Sequence, residues 1–271
     1  MLRQDSSAGS PKAANRLKNS PSPLLVMALR IGALIVFVGS WETASSLKWI
    51  NPFFVSRPSD IIFRAYTWLS SGYVLSHTAI TIVETFFAFV LGALLGAILA
   101  FLLYRSSIVD QALMPYLMIL NAMPRIIFAP IFILWFGLGL TSKVVLGISI
   151  VIFIVFFSIY TGLKEVDQNL INKVRLMGGS EKDVLLEVLI PSALSWLFSS
   201  LKTSVGFALV GAIVGEYMGS ANGLGHIIAF AEGMFDATGV FAGLFILSFV
   251  VIAINWCMER VENHFTAWRM G

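Results

Sequence analysis

Six long apolar stretches constrain the fold of this chain more than any other feature of its sequence. A helix that crosses the hydrocarbon core of a bilayer needs about 20 predominantly apolar residues. Stretches of this kind cover residues 24–41, 80–104, 114–136, 144–163, 197–218 and 240–258. Only 12% of the residues are charged, against about one-quarter in soluble domains. We therefore predict an all-α integral membrane protein with about six transmembrane helices.

The two ends of the chain differ from this apolar body. Residues 1–23 form a polar tail that is too long for the basic region of a cleaved signal peptide, so we expect it to be retained. Residues 24–271 then form one transmembrane domain with a core at 78–259. The single cysteine, Cys257, lies inside the last apolar stretch and excludes a disulfide framework within one chain.

The positions of the eighteen Lys and Arg residues predict the orientation in the membrane. If the amino terminus is cytoplasmic, four of them lie outside, at Lys48, Arg57, Arg64 and Lys143, and two lie within spans, at Arg30 and Arg125. The other twelve lie inside: Arg3, Lys12, Arg16, Lys18, Arg105, Lys164, Lys173, Arg175, Lys182, Lys202, Arg260 and Arg269. The positive-inside rule then places both termini in the cytoplasm.

Residues 164–195, which we call the hinge segment, separate the fourth and fifth apolar stretches and are unusually polar for this chain. Apolar residues at helical spacing predict a first short helix that ends at Gly178-Gly179. Ser180 followed by Asp183 fits a capping box, which predicts a second helix from about residue 181 that Pro191 interrupts.

The second predicted helix is amphipathic. Its apolar side consists of Val184, Leu185, Val188 and Leu189. Such a face requires a partner in water, and two interpretations fit: a helix lying in the membrane interface, or a docking element for a cytoplasmic protein. We favour the docking element.

The hinge segment resembles the cytoplasmic loop signature of permease subunits of ATP-binding cassette (ABC) importers, in which Glu-Ala-Ala is followed by a glycine and then by Ile-x-Leu-Pro. Here Asn172-Lys173-Val174 replaces Glu-Ala-Ala, whereas the glycines and Pro191 are kept. The stretches RPSD (57–60), MPRIIFAPIFILWFGLG (123–139) and VGEYMGSANGLG (214–225), with the closing Trp268-Arg269, resemble the nitrate, sulfonate and taurine branch of that family.

This resemblance implies a type I importer permease fold and a division of labour among subunits. Two permease copies, here expected to be a homodimer, would form the path in a bacterial inner membrane. Two ATPase subunits would grip the cytoplasmic loops, and an extracytoplasmic solute-binding protein would deliver the solute. The coupling residues would be Gly178, Gly179, Ser180, Val184, Leu185, Val188, Leu189 and Pro191. No phosphate-binding loop motif occurs in the chain, so we expect no cofactor and no enzymatic activity of its own, with ATP held by the partner.

Charged residues in the apolar stretches are candidates for the translocation path. Arg125, Glu84 and Glu216 lie within or near spans, where a charge is costly. Arg125 follows Pro124 in a stretch with three prolines and could attract an oxyanion. The alternative is a structural ion pair between Arg125 and Glu84 or Glu216.

Several weaker patterns suggest packing. Gly92 and Gly96 have the spacing of a close helix contact, which could lie within a permease dimer. Residues 219–239 form a glycine-rich loop that could bend into the outer vestibule, and an amphipathic helix with Ile61, Ile62, Ala65 and Leu69 on its apolar side begins near Ser59. The histidines are scattered, and none of them suggests a metal or catalytic set.

Two other classes remain as alternatives to an ABC permease. A secondary transporter not driven by ATP would also have several spans, but no convincing internal repeat is present. An intramembrane enzyme would need a catalytic motif, and no span contains one. Nothing suggests a nucleic-acid partner. The resemblance leaves nitrate, sulfonates, taurine, bicarbonate, thiamin precursors and aromatic carboxylates open as solutes, and Arg125 favours an anion.

Overall fold

The computed structural model describes residues 22–266, with side chains up to residue 262. It is helical, with no strand in that part of the chain. The helices are α1 (Pro23–Ser46), α2 (Pro52–Val55), α3 (Pro58–Ser70), α4 (Tyr73–Arg105), α5 (Ser107–Ala122), α6 (Ala129–Phe136), α7 (Leu140–Lys164), α8 (Gln168–Leu176), α9 (Glu181–Met218), α10 (Leu224–Gly233) and α11 (Ala237–Thr266). Most of the polar tail and the closing Trp268-Arg269 pair lie outside the described residues.

Five of these helices are long and apolar enough to cross a membrane, or six spans if a bent pair counts as one. The five are α1, α4, α7, α9 and α11. The prediction of an all-α membrane protein is confirmed.

The chain divides into two compact units, Met1–Ser59 and Asp60–Gly271. In the first unit, Ser45 is buried and its hydroxyl donates to the Ser56 carbonyl at 2.7 Å. The Glu42 carboxylate accepts hydrogen bonds from the Ser59 amide and hydroxyl, at 3.0 and 2.8 Å. These contacts fix the chain that follows α1.

Helices α4, α7 and α9 form the centre of the second unit, and small residues bring them close together. A Cβ atom added to Gly92 would lie 2.7 Å from Val151, and one added to Gly96 would lie 2.6 Å from the Ile152 carbonyl oxygen. The glycine pair of α4 therefore packs against α7 of the same chain. The sequence-based suggestion of a dimer contact at this pair is wrong, because the space above both glycines is filled within the chain.

Glycines also join α7 to α9. A Cβ atom on Gly211 would lie 2.5 Å from the Gly147 Cα, and one on Gly215 would lie 2.8 Å from the Lys143 Cγ. Nearer the other end of α7, a Cβ on Gly162 would lie 2.2 Å from the Trp196 ring. Residues later in α9 therefore contact residues earlier in α7, which means that the two helices are antiparallel.

The third predicted span is not one straight helix. The chain bends by 87° between α5 and the residues from Arg125 to Phe136. Pro124 is extended, and a short 3-10 turn, Arg125–Phe128, leads into α6. Proline has no amide hydrogen and disfavours helix in the residue before it, which accounts for the break at this point.

Three other sequence expectations need correction. Pro191 does not interrupt the second helix of the hinge segment, because the turn Leu185–Leu189 is π-helical and α9 continues through it. A wider turn before proline relieves the clash of its ring with the preceding turn. The predicted glycine-rich loop contains a helix, α10, with Leu224, Ile227 and Ile228 buried. In α3, Ile61 and Ala65 are buried but Ile62 and Leu69 are exposed.

Candidate functional site

The hinge segment is built around a helix-ending glycine, as its sequence predicts. Gly178 has a φ of 85°, in the left-handed region. The Gly179 amide donates to the Val174 carbonyl at 2.9 Å and the Gly178 amide donates to the Arg175 carbonyl at 3.0 Å. These two bonds form a Schellman motif, which satisfies the last carbonyl groups of α8. A Cβ on Gly179 would lie 2.6 Å from Val174, so both glycines are needed for the bend.

The predicted capping box at the start of α9 is confirmed. The Ser180 hydroxyl accepts from the Asp183 amide at 3.4 Å, and the Asp183 carboxylate accepts from the Ser180 amide at 2.7 Å. The Asp183 carboxylate also lies at the positive end of the helix dipole. An exposed ion pair between Arg175 and Glu181, at 2.9 Å, joins the two sides of the hinge.

The apolar side of the second helix packs against its own chain. Val184, Val188 and Leu189 are at most 9% exposed. They belong to one cluster with residues from the end of α7, from the following turn and from α8, including Ile159, Leu163, Val166 and Ile171, and Leu185 packs against that cluster. Three of the four apolar residues predicted for docking are therefore covered within the chain. Their role as direct partner contacts is not supported by this geometry.

Other apolar side chains of the hinge segment are exposed instead. Leu176 and Met177 are each 87% exposed, and Leu186 is 47% exposed. Leu176 and Met177 immediately precede the left-handed Gly178, so the bend holds them at the tip of the segment. The buried cluster holds the two helices that flank this bend. The result is an exposed apolar tip between two helices that are packed against the chain.

Arg125 lies at the 87° break and contacts neither of its predicted acidic partners. Its Nη2 atom donates to the Asn121 side chain at 2.9 Å and to the Leu120 carbonyl at 3.2 Å. Its guanidinium lies 4.4 Å from the centre of the Phe153 ring. An ion pair with Glu84 or Glu216 is therefore excluded in this structure. Arg125 instead donates to one backbone carbonyl and one side-chain amide near the end of α5 and stays half-buried.

Glu84 and Glu216 come together with Lys143, at the end of the α4, α7 and α9 core away from the hinge segment. All three are almost completely buried, at 2%, 1% and 0% exposed. We call these three residues, with Thr81 and His77, the carboxyl cluster. Both glutamates are buried within this chain, and their place in a translocation path stays a prediction.

The carboxyl cluster holds the start of α10. Three successive backbone amides, of Gly223, Leu224 and Gly225, donate to His77 Nδ1, Thr81 Oγ1 and Glu216 Oε2, at 3.0, 2.9 and 2.7 Å. These amides would otherwise be unsatisfied donors at a helix start. Gly223 has a φ of 104°, and a Cβ there would lie 2.1 Å from the Glu216 carboxyl carbon. The glycines of the GLG stretch therefore let the backbone close around the carboxylate.

Sequence reasoning missed Lys143, His77 and Thr81 as members of this cluster. Lys143 was expected outside the membrane as an ordinary loop cation, but it is buried in the first turn of α7. His77 was one of the scattered histidines, yet its ring stacks on His226 with centroids 6.0 Å apart. The only sequence signal was the row of small residues, Ala88, Gly147 and Gly211, which places Glu84, Lys143 and Glu216 one turn further along the same contact.

The architecture defines a class: it is that of permeases of type I ABC importers. One structure of the MetNI methionine ABC transporter in an inward-facing conformation matches with a TM-score of 0.60, at 21% identity, over 70% of this chain and 95% of the other. The chain belongs to the family of binding-protein-dependent transport system inner membrane components, whose model matches residues 92–267.

Two relatives illustrate the range of that family. The formylaminopyrimidine transport permease protein ThiX of Halalkalibacterium halodurans is 30% identical over 229 residues, which are 84% of this chain and 91% of the relative. The taurine transport system permease protein TauC of Escherichia coli is 25% identical over 247 residues, 89% of this chain and 90% of the relative. The chain is thus an importer permease subunit, a multi-pass protein of the inner membrane and a transport component. The predicted nitrate, sulfonate and taurine branch fits these relatives.

Proposed function

We propose that this permease forms the translocation path for a small anion-like solute and couples its passage to ATP hydrolysis by a partner ATPase. The observation that carries the coupling part is the apolar tip at Leu176 and Met177, which is held by a left-handed glycine on a buried base. An exposed apolar tip on a rigid support can bury its surface in a groove of a second protein. Coupling by rigid-body motion requires that this groove binds two states of the permease differently.

The assembly that we propose contains two copies of this chain, two ATPase subunits and an extracytoplasmic solute-binding protein. Both termini lie in the cytoplasm, on the same side as the hinge segment. This orientation rests on the distribution of Lys and Arg along the sequence. Reporter fusions after Leu186 and after His226 are expected on opposite sides of the membrane, and finding both on one side would overturn the topology.

The test of coupling is co-purification of the ATPase subunit with the permease in detergent. Met177→Asp places a charge on the exposed tip and is expected to reduce the recovered ATPase at least tenfold without lowering the permease yield. Leu138→Asp is the matched control, because Leu138 is also exposed, at 62%, but lies at the opposite end of α7. Full ATPase recovery with Met177→Asp would show that the tip does not contact the ATPase.

The anion part of the proposal rests on Arg125. Its hydrogen bonds to Leu120 and Asn121 both use Nη2, so Nε and Nη1 have no such partner within residues 22–262. A guanidinium with free donors beside a broken span can bind an oxyanion. The relatives ThiX and TauC are named for different solutes, so this geometry is the basis on which we favour an anion.

Substrate-stimulated ATPase activity in proteoliposomes tests this role. Arg125→Gln is expected to lower the stimulation by nitrate, taurine or an alkyl sulfonate at least tenfold and to leave the unstimulated rate measurable. Arg105→Gln removes a cation from the last turn of α4 and is the control. If Arg125→Gln retains full stimulation by every anion that stimulates the wild type, Arg125 is structural only.

A further inference from the structure

We propose that Glu84 and Glu216 hold a single proton between them, with Glu84 as the protonated partner. Both carboxyl groups are buried, and Thr81, which lies one turn before Glu84 on α4, donates to Glu216 at 2.6 Å, so the two carboxyl groups are neighbours in the core. A hydrogen bond between two carboxyl groups requires a proton on one of them, because ionised carboxylates only accept. The assignment goes beyond the transport function and does not depend on it.

The charges around the pair support one proton rather than none or two. Lys143 is the cation that faces the two carboxyl groups, and it is completely buried. His77 accepts the Gly223 amide at Nδ1, so its ring is not doubly protonated, and His226 stacks on the far side of that ring. Two ionised glutamates and one ammonium would leave a net buried negative charge. One proton makes the cluster neutral, and buried charges are tolerated when they are balanced in this way.

Hydrogen bonding indicates which glutamate is ionised. Glu216 accepts the Thr81 hydroxyl at 2.6 Å on Oε1 and the Gly225 amide at 2.7 Å on Oε2. It also lies at the amino end of α10, a helix of ten residues, where the dipole favours a negative charge. Both features stabilise the carboxylate form.

Glu84 has the opposite environment. Its Oε2 atom is buried and has no hydrogen-bond donor among the described residues. The hydrogen bonds of the Lys143 ammonium within the described residues go to the backbone carbonyls of Leu138 and Gly139. A carboxylate at Glu84 would therefore lie beside a second carboxylate without a donor of its own. A protonated Glu84 can instead donate to Glu216.

Infrared spectroscopy of the purified full-length protein in detergent at neutral pH tests the number of protons. The wild type is expected to contain the carbonyl band of a buried, protonated carboxylic acid. Glu84→Gln and Glu216→Gln should each lose all of it, because Lys143 balances the one remaining carboxylate. The exposed control Glu187→Gln should keep it. No such band in the wild type, or half of the band in each single variant, would overturn the proposal.

Thermal unfolding of the same samples tests the assignment to Glu84. Glutamine is nearly isosteric with a protonated glutamic acid and can donate to Glu216, so Glu84→Gln should unfold within a few degrees of the wild type. Glu216→Gln should unfold at a clearly lower temperature, because its amide group would face the donor of Thr81 or of Gly225. Equal losses in the two variants, or failure of Glu84→Gln alone to fold, would overturn the assignment.

Discussion

The hinge segment and the carboxyl cluster lie at opposite ends of the α4, α7 and α9 core, and they are stabilised in different ways. In the hinge segment, each defining hydrogen bond joins residues three to five positions apart, such as Gly179 to Val174 and Asp183 to Ser180. In the carboxyl cluster, the bonds of Thr81 to Glu216 and of Gly223 to His77 join residues 135 and 146 positions apart. The bend of the first region is exposed and held by local bonds, whereas the second region is buried and depends on the packed core.

This difference predicts where substitutions are costly. A change in the carboxyl cluster has to be accommodated by three helices at once, and unsatisfied buried groups cost about 1–3 kcal/mol each. A change at the exposed bend of the hinge segment, residues 175–183, is felt over one or two turns and remains accessible to water. Substitutions in the carboxyl cluster should therefore mainly lower the stability of the protein, and substitutions in the hinge segment should mainly weaken partner binding.

The largest effect is expected for Gly223→Ala in the carboxyl cluster. A Cβ at this position would lie 2.1 Å from the Glu216 carboxyl carbon, and the φ of 104° adds strain. We expect a loss of about 3 kcal/mol or more, seen as a lower unfolding temperature and folded yield in detergent. Gly233→Ala is the control, because no atom lies within 4 Å of its added Cβ. Equal unfolding temperatures and yields for the two variants would contradict the close contact between Gly223 and the Glu216 carboxyl group.

Gly178→Val should have the next largest effect. It distinguishes an effect on stability from an effect on partner binding. Nothing lies within 4 Å of a Cβ at Gly178, so the cost comes from the φ of 85° alone, at about 1–2 kcal/mol. Because the strain is local, we expect a clear loss of co-purified ATPase and only a small decrease in the unfolding temperature. A large loss of folded protein with normal ATPase binding would show that this part of the hinge segment serves stability rather than partner binding.

Ser180→Ala should cost less, about 1 kcal/mol, because it removes the hydroxyl that caps α9 but leaves the helix joined to a long span. Hydrogen exchange of the amides at residues 181–184 is the sensitive measurement and should become faster. Ser192→Ala, which removes a hydroxyl further along α9, is the comparison variant and should leave those amides unchanged.

The smallest effect is expected for Arg175→Gln. The ion pair with Glu181 is exposed on both sides, at 50% and 77%, and such pairs contribute roughly 0–1 kcal/mol. The shift in unfolding temperature from the wild type should be smaller than the shift caused by Gly178→Val. A loss as large as that of Gly223→Ala would mean that the two sides of the hinge are held by charge rather than by the buried cluster below.

Most of the helical order and the glycine bend of the hinge segment with its capping box could be predicted from sequence. Apolar stretch length indicated the membrane spans, Gly178-Gly179 indicated the end of α8, and Ser180 with Asp183 indicated the start of α9. Each of these depends on interactions within a few residues. The errors are the bend at Pro124, the continuation of α9 through Pro191 and the helix α10 inside an apparent loop. Both proline errors concern how the chain adapts to a proline ring, and the start of α10 depends on side chains of α4 and α9.

The sequence by itself therefore determined that this chain spans a membrane and where it carries an exposed glycine hinge, because bilayer thickness, helix capping and glycine φ act locally along the chain. Only the tertiary structure decided which apolar face of the hinge segment is covered and which residues form its tip. It also decided that Lys143 is buried between two glutamates and that Arg125 contacts neither of them. Those outcomes depend on the register in which α4, α7 and α9 pack, and that register is set by close contacts between small residues far apart in sequence.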